Sequence, residues 1–132
     1  MTPVGTAALR DLLDPLAGRG IEVRLEMPDS VELSDDAAEL VFRVAQEAVR
    51  NVAEHSAAGG VDVELEVAGG TVALTVADDG IGFDPARLAD TPAGGHVGLL
   101  LLQDLARAAG GSLRIDASPG RGTTVRLEVP AA

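Results

Sequence analysis

No cysteine occurs in the 132 residues, which excludes disulfides, thiolate nucleophiles and thiolate zinc sites together and fits a reducing compartment. Lysine is absent too. All ten basic residues are arginines, so there is no lysine for a P-loop, for the phosphate-pairing position of protein kinases or for a Schiff base with pyridoxal phosphate. Trp and Tyr are missing and aromatics make up 2% of the chain, which leaves no platform for stacking single-stranded bases. Basic charge is outnumbered: ten Arg against 21 Asp and Glu give a formal net charge of −11, the reverse of a phosphate-backbone footprint. Nucleic acid is therefore not an expected partner. No window approaches the roughly 20 apolar residues that span a bilayer, and the start MTPVGTAALRDLL lacks a basic flank followed by an apolar run. A cytoplasmic location without direct membrane contact is expected, including as the cytoplasmic part of a membrane-linked sensor.

What remains is a chain that is 46% hydrophobic, with a core to be built from Val, Leu, Ile and Ala, and of a length that closes one core rather than two. One domain over residues 1–132 is expected. Thr6 to Ala17 has helical spacing, with Leu9, Leu12, Leu13 and Leu16 on one side, and IEVRLEMP then alternates like a strand. Residues 1–20 are expected to combine a connecting segment with the first helix. Ser34 is placed as an N-cap with acidic residues in the first turn after it, opening a helix that reaches about Ser56. VDVELEVAGGTVALTVAD reads as a β-hairpin about Gly69 and Gly70. From Phe83 to Val97 no period is found, so a loop is expected there. From Gly98 a helix is expected with Leu101, Leu102, Leu105 and Ala109 inward, then strand SLRIDA, turn SPGRG and strand TTVRLEV. The order α-β-α-β-β-loop-α-β-β predicts an α+β fold, a two-layer sandwich with helices on one face of a mixed, mostly antiparallel sheet.

Three stretches carry chemistry. In LVFRVAQEAVRNVAEH, Leu40, Val41, Val44, Ala45, Ala48 and Val52 form an apolar sector, yet Asn51 and His55 fall inside it and Glu47 lies at its edge. A buried polar group without a partner costs about 1–3 kcal/mol, so the fold alone gives little reason for this row. An amide oxygen is a suitable neutral ligand for Mg²⁺ beside substrate phosphates, and a carboxylate one turn away can orient or deprotonate a nucleophile. A charged helix edge with one satisfied asparagine is the competing reading. In VADDGIGFD, Gly80 and Gly82 after Asp78 let the backbone approach a flat ligand, and the carboxylate can accept a bond from an exocyclic amine such as that of adenine. The same residues also suit a strand-end turn, and Asp79 reads as a solvated neighbour. In AGGHVGLLLL, glycines lead into a helix whose free N–H groups and dipole favour an anion, although a flexible loop with a surface His96 explains it as well.

Taken in order, and with GRGTTV added, these stretches resemble the ATP-binding catalytic domain of sensor histidine kinases, within the gyrase, Hsp90, histidine kinase and MutL superfamily with its Bergerat fold. The resemblance covers nearly the whole chain. It puts Glu47, Asn51 and His55 in the N-box, Asp78, Gly80 and Gly82 in the DxGxG box, Gly95, His96, Gly98 and Leu99 in the second glycine box, and Gly122 with Thr123 in the third. FRVAQEAVRNVAEH and the GHxGL form of the second box are most similar to kinases that pair with NarL-type response regulators. The resemblance implies Mg²⁺ coordination by Asn51, assistance to phosphoryl transfer by Glu47, adenine reading by Asp78 with support from Thr123, and His55 near the phosphates. It also implies an ATP lid over 83–97. The second box departs from the commoner form in having only Gly94, Gly95 and Gly98. Both histidines fall in these boxes, so the phosphoacceptor histidine and its dimerisation domain are expected outside this chain. The alternative of the same fold is an anti-sigma factor that phosphorylates a serine on an antagonist.

Overall fold

The computed structural model describes residues 1–53, 59–80, 97–117 and 121–132. Its elements follow in the order β1 (Thr2–Gly5), α1 (Thr6–Gly18), β2 (Glu22–Glu26), β3 (Ser30–Leu33), α2 (Asp35–Asn51), β4 (Gly60–Ala68), β5 (Thr71–Asp78), α3 (Val97–Ala108), β6 (Ser112–Ala117) and β7 (Thr123–Pro130). A five-stranded sheet runs β2-β4-β5-β7-β6, with β2 and β4 parallel and every other pair antiparallel; β1 and β3 form a separate antiparallel pair. The sandwich read from the sequence is therefore present, with two strands added. β1 and β3 have four residues each, too few to show a period, and β1 contains Pro3 and Gly5. Thr2 to Gly5 thus pairs within the fold, with Val4 fully buried.

Alternation decides which face of the sheet carries the helices. Val61, Val63 and Leu65 of β4, Val72, Leu74 and Val76 of β5, and Val125, Leu127 and Val129 of β7 are buried in one cluster with Leu9, Leu13 and Leu16 of α1, Val41, Val44 and Ala48 of α2, and Leu99, Leu102 and Ala106 of α3. The opposite face carries Arg24, Glu64 and Arg126 among its polar residues. Ser34 caps α2 as expected, its Oγ accepting from the Ala37 N–H at 3.1 Å. The hairpin turn holds Gly69 at φ 60° and Gly70 at φ 79°, the left-handed pair that two-residue hairpins need.

Three expectations are corrected or left open. Leu101 is 59% exposed and Ala109 is exposed too, while Leu99, Leu102 and Ala106 face the core. Four consecutive leucines let the helical phase be drawn on either side, and packing against the sheet chose the other. The α-helical part of α2 ends at Asn51 and passes into a π-type turn at Val52 and Ala53; the expected end near Ser56 lies outside the described residues. The loop expected over 83–97 also lies outside them, apart from Val97 at the start of α3.

Candidate functional site

The fold brings those of the singled-out residues that are described to one end. The Ser34 N–H donates to Ala131 O at 2.7 Å and the Ala131 N–H to Gly70 O at 2.9 Å, so α2 begins beside the hairpin turn. It must then end beside the other termini of β4 and β5, where Val61 pairs with Asp78. Asp78 continues the helix-facing parity of Val72, Leu74 and Val76, and its register partner Thr123 continues that of Val125 and Leu127. An acid and a hydroxyl therefore extend the apolar floor at the edge where α2 stops.

Asn51 is the last residue of α2. It is 92% buried, and among the described residues neither its Oδ1 nor its Nδ2 has a hydrogen-bond partner. Glu47 stands one turn earlier: its Oε1 lies 3.7 Å from the Arg50 guanidinium, and its Oε2 is buried with no partner among the described residues. Three unpaired polar atoms in one helical stretch is a costly arrangement unless a polar ligand meets them. The same carboxylate touches the start of α3, where a Cβ at Gly98 would sit 2.5 Å from Glu47 Oε2. Only glycine lets the two approach so closely. Leu99, next to it, is fully buried and locks the first turn of α3 into the core.

Asp78 has a mixed environment. Burial pushes its carboxyl above the usual carboxylate range, and the charge of Asp79 pushes the same way, against hydrogen bonds from the backbone of Gly80 and Thr123. The Gly80 N–H donates to Asp78 Oδ1 at 2.8 Å. Gly122 approaches from behind at φ 81°, where a Cβ would lie 2.2 Å from the Asp78 carbonyl oxygen. Asp79 is exposed, as its reading implied, yet it is not merely solvated: its Oδ1 accepts from the N–H groups of Gly59 at 2.8 Å and Gly60 at 2.9 Å. Those bonds hold its carboxyl below the usual range. The sequence did offer a signal for this, the GG pair at 59 and 60, but nothing in one strand tells which acid it will meet.

Glu47, Asn51, Asp78, Gly80, Gly98, Leu99, Gly122 and Thr123 are thus all described, whereas His55, Gly82, Gly95 and His96 lie outside the described residues. Among the described residues no group of three or more His, Cys, Asp or Glu is placed to hold a metal, and no helix is long and apolar enough to cross a membrane. An apolar groove between α2 and α3, lined by Leu40, Arg43, Leu105 and Ala109, opens about three turns of α2 away from Asn51. Its lining also carries Asp36 and Glu39, but among the described residues it leaves no buried polar atom without a partner, so the end of α2 is the stronger site.

Residues 36–132 match the family described as histidine kinase-, DNA gyrase B- and HSP90-like ATPases. The chain is 34% identical over 112 residues to the oxygen sensor histidine kinase NreB of Staphylococcus carnosus, covering 84% of this chain and 31% of that protein. It is 35% identical over 124 residues to the sensor histidine kinase NarS of Mycobacterium tuberculosis, covering 93% of this chain and 28% of that protein. The chain spans less than a third of the length of these relatives. Its fold matches full-length ShkA, solved in complex with AMPPNP, at TM-score 0.73 and 24% identity over 99% of this chain and 31% of that one. The blue-light activated histidine kinase of Erythrobacter litoralis EL346 superposes at TM-score 0.71 with 25% identity, over 98% of this chain and 42% of that one.

Proposed function

The chain belongs to the histidine kinase-, DNA gyrase B- and HSP90-like ATPase family, and from that we propose that it is the ATP-binding catalytic domain of a two-component sensor histidine kinase. The observation that carries this reading is the buried side chain of Asn51 at the end of α2, without a hydrogen-bond partner among the described residues. The names of the relatives NreB and NarS favour a histidine kinase over an anti-sigma factor, and the AMPPNP in the ShkA structure favours an adenine nucleotide.

On this reading Asp78 accepts a hydrogen bond from the adenine amine, with Thr123 beside it, and the glycines at 80 and 82 give the base room. Asn51 offers its Oδ1 to Mg²⁺, which fits an amide left without a partner, and the ion would neutralise phosphate charge. His55, Gly95 and His96 approach the phosphates, and residues 83–97 form the lid. The N-terminus of α3 at Gly98 adds the positive end of a helix dipole to a strongly acidic chain, which otherwise repels the nucleotide. Glu47 orients the attacking imidazole and takes its N–H proton as the bond from the γ-phosphorus to the ADP oxygen breaks and a P–N bond forms. Positioning supplies most of the effect. The acceptor histidine stands on a dimerisation domain outside this chain, and a NarL-type response regulator receives the phosphoryl group. Location in the cytoplasm belongs to the same proposal.

Calorimetric titration of the 132-residue chain with a non-hydrolysable ATP analogue and Mg²⁺, beside GTP and an Asn51→Ala control, tests it. Adenine-selective binding lost in the variant is expected. No binding by the unsubstituted chain would overturn the reading.

A further inference from the structure

The segment joining α2 to β4 is held at both ends by residues to which the sequence assigned no role. At one end Arg19, just past α1, donates from Nη1 to the Ala53 carbonyl at 2.9 Å, two residues beyond Asn51. At the other, Asp79 accepts from the successive N–H groups of Gly59 and Gly60 at 2.8 and 2.9 Å. The Asp79 N–H also donates to Gly60 O at 3.3 Å, and Gly59 O accepts from the Glu22 N–H at 2.9 Å. Asp79 thus ties the entry of β4 to the exit of β5, and Gly59 links that junction to the entry of β2.

The position of these ties matters more than their strength. The bond from Asp79 to Gly60 extends the β4–β5 ladder one step beyond the Val61 and Asp78 pair, so it sets how far Asp78 projects from the sheet. Gly122 closes on the Asp78 carbonyl from β7, so Asp78 is gripped on both sides. Asn51 is held in a similar way, at the end of a helix whose continuation is tied by Arg19 at the Ala53 carbonyl. The geometry points to Asp79 as a positioning residue of the nucleotide site, acting through the Gly59 and Gly60 backbone, with Arg19 completing the hold at Ala53. This inference rests on the nucleotide reading of the site. Asp79 touches no nucleotide on this view: what it contributes is a pair of acceptor bonds, and its charge is incidental to binding. Charge and position therefore predict opposite signs, because removing an anion near a triphosphate should tighten binding whereas releasing β4 should weaken it.

The experiment combines nucleotide titration of the 132-residue chain with amide hydrogen exchange at Gly59 and Gly60, for Asp79→Ala, Asp79→Asn and Arg19→Ala. Asp79→Ala should lose the slowed exchange of both amides and weaken binding of the ATP analogue roughly fivefold to tenfold, the size expected of a lost hydrogen bond or two. Asp79→Asn, whose amide oxygen still accepts both bonds, should restore slow exchange and recover most of the affinity. Arg19→Ala should weaken binding in the same direction by less, and it supplies the test should Asp79→Ala not fold. Unchanged affinity in Asp79→Ala or, in its place, Arg19→Ala overturns the positioning role alone. Tighter binding in both Asp79 variants overturns it in favour of charge repulsion. A wild-type chain that binds no ATP analogue overturns the nucleotide reading and the positioning role with it.

Discussion

The Glu47 carboxylate lies against the backbone of Gly98, so closely that a Cβ there would stand 2.5 Å from Oε2 and 2.6 Å from Cδ. The last turns of α2 and the first turn of α3 therefore share one contact. The atom in the way is the far end of a flexible side chain, so Gly98→Ala should fold, with Glu47 turned aside. Nucleotide affinity should change little, and phosphoryl transfer to a supplied phosphoacceptor domain should fall on the order of tenfold to a hundredfold, as when a general base is misplaced. Transfer at the wild-type rate would remove Glu47 from its proposed role.

Asn51 offers a second test, because its two side-chain polar atoms are buried without partners among the described residues. Asn51→Ala removes groups whose unmet bonding costs about 1–3 kcal/mol each, against a small loss of packing. The nucleotide-free variant should be as stable as the wild type or more so, while losing nucleotide binding. Thermal unfolding read beside calorimetry checks both halves. A large drop in stability would mean that Asn51 is a satisfied core residue.

If the amide meets Mg²⁺, then chelating the metal should weaken ATP binding by the wild-type chain but leave the residual binding of Asn51→Ala unaltered. Titrations with and without EDTA decide it. Equal wild-type affinity in both would take Asn51 out of the metal site.

How much of this was legible in the sequence depends on period. The α2 stripe from Leu40 to Val52, the buried Asn51 within it and the Gly69–Gly70 hairpin are all where their spacing puts them. A seventeen-residue helix and two long strands repeat their pattern often enough to be read. β1 and β3 do not, since their pairing is decided by a partner 25 or more residues away. Leu101 shows the same limit from the other side, as a run of identical apolar residues has no phase. Within the site, residue types and order suggested Glu47, Asn51 and Asp78, whereas the grip of Asp79 on Gly59 and Gly60 exists only once β4 and β5 are paired.

Glycine supplies a further contrast. Gly69 and Gly122 both have positive φ, 60° and 81°, but a Cβ on Gly69 meets nothing within 4 Å whereas one on Gly122 lands 2.2 Å from Asp78 O. Gly69→Ala should cost about 1 kcal/mol for the backbone conformation alone. Gly122→Ala adds a collision with backbone that cannot swing away, so it should cost at least twice as much and weaken ATP binding by moving Asp78. Chemical denaturation of both variants checks the order. Equal costs would mean that β7 yields at Gly122 and leaves the site intact.

Asp78 and Asp79 carry the last prediction, because their carboxyls are displaced in opposite directions from the ordinary value of 3.8. Burial raises that of Asp78, so the folded chain holds this proton more tightly than the unfolded one. Its contribution to stability is full below 3.8 and is lost as pH rises through the raised folded value. For Asp79, hydrogen bonds from Gly60 and Gly59 lower the folded value, so its contribution is present above 3.8 and lost as pH falls through the lowered one. Asp78→Asn should therefore gain stability relative to wild type as pH rises above that point, whereas Asp79→Asn should lose it, in urea unfolding followed from about pH 3 to pH 7. Nucleotide affinity should rank the other way, with Asp78→Asn weakening ATP more than Asp79→Asn. A burial cost carried by the folded chain is what a site pays for a carboxylate kept ready for a ligand. If Asp78→Asn instead lost stability as pH rose and bound ATP like wild type, the acid would be a structural anchor of β5, and the residue that reads the base would have to be sought elsewhere in the glycine box.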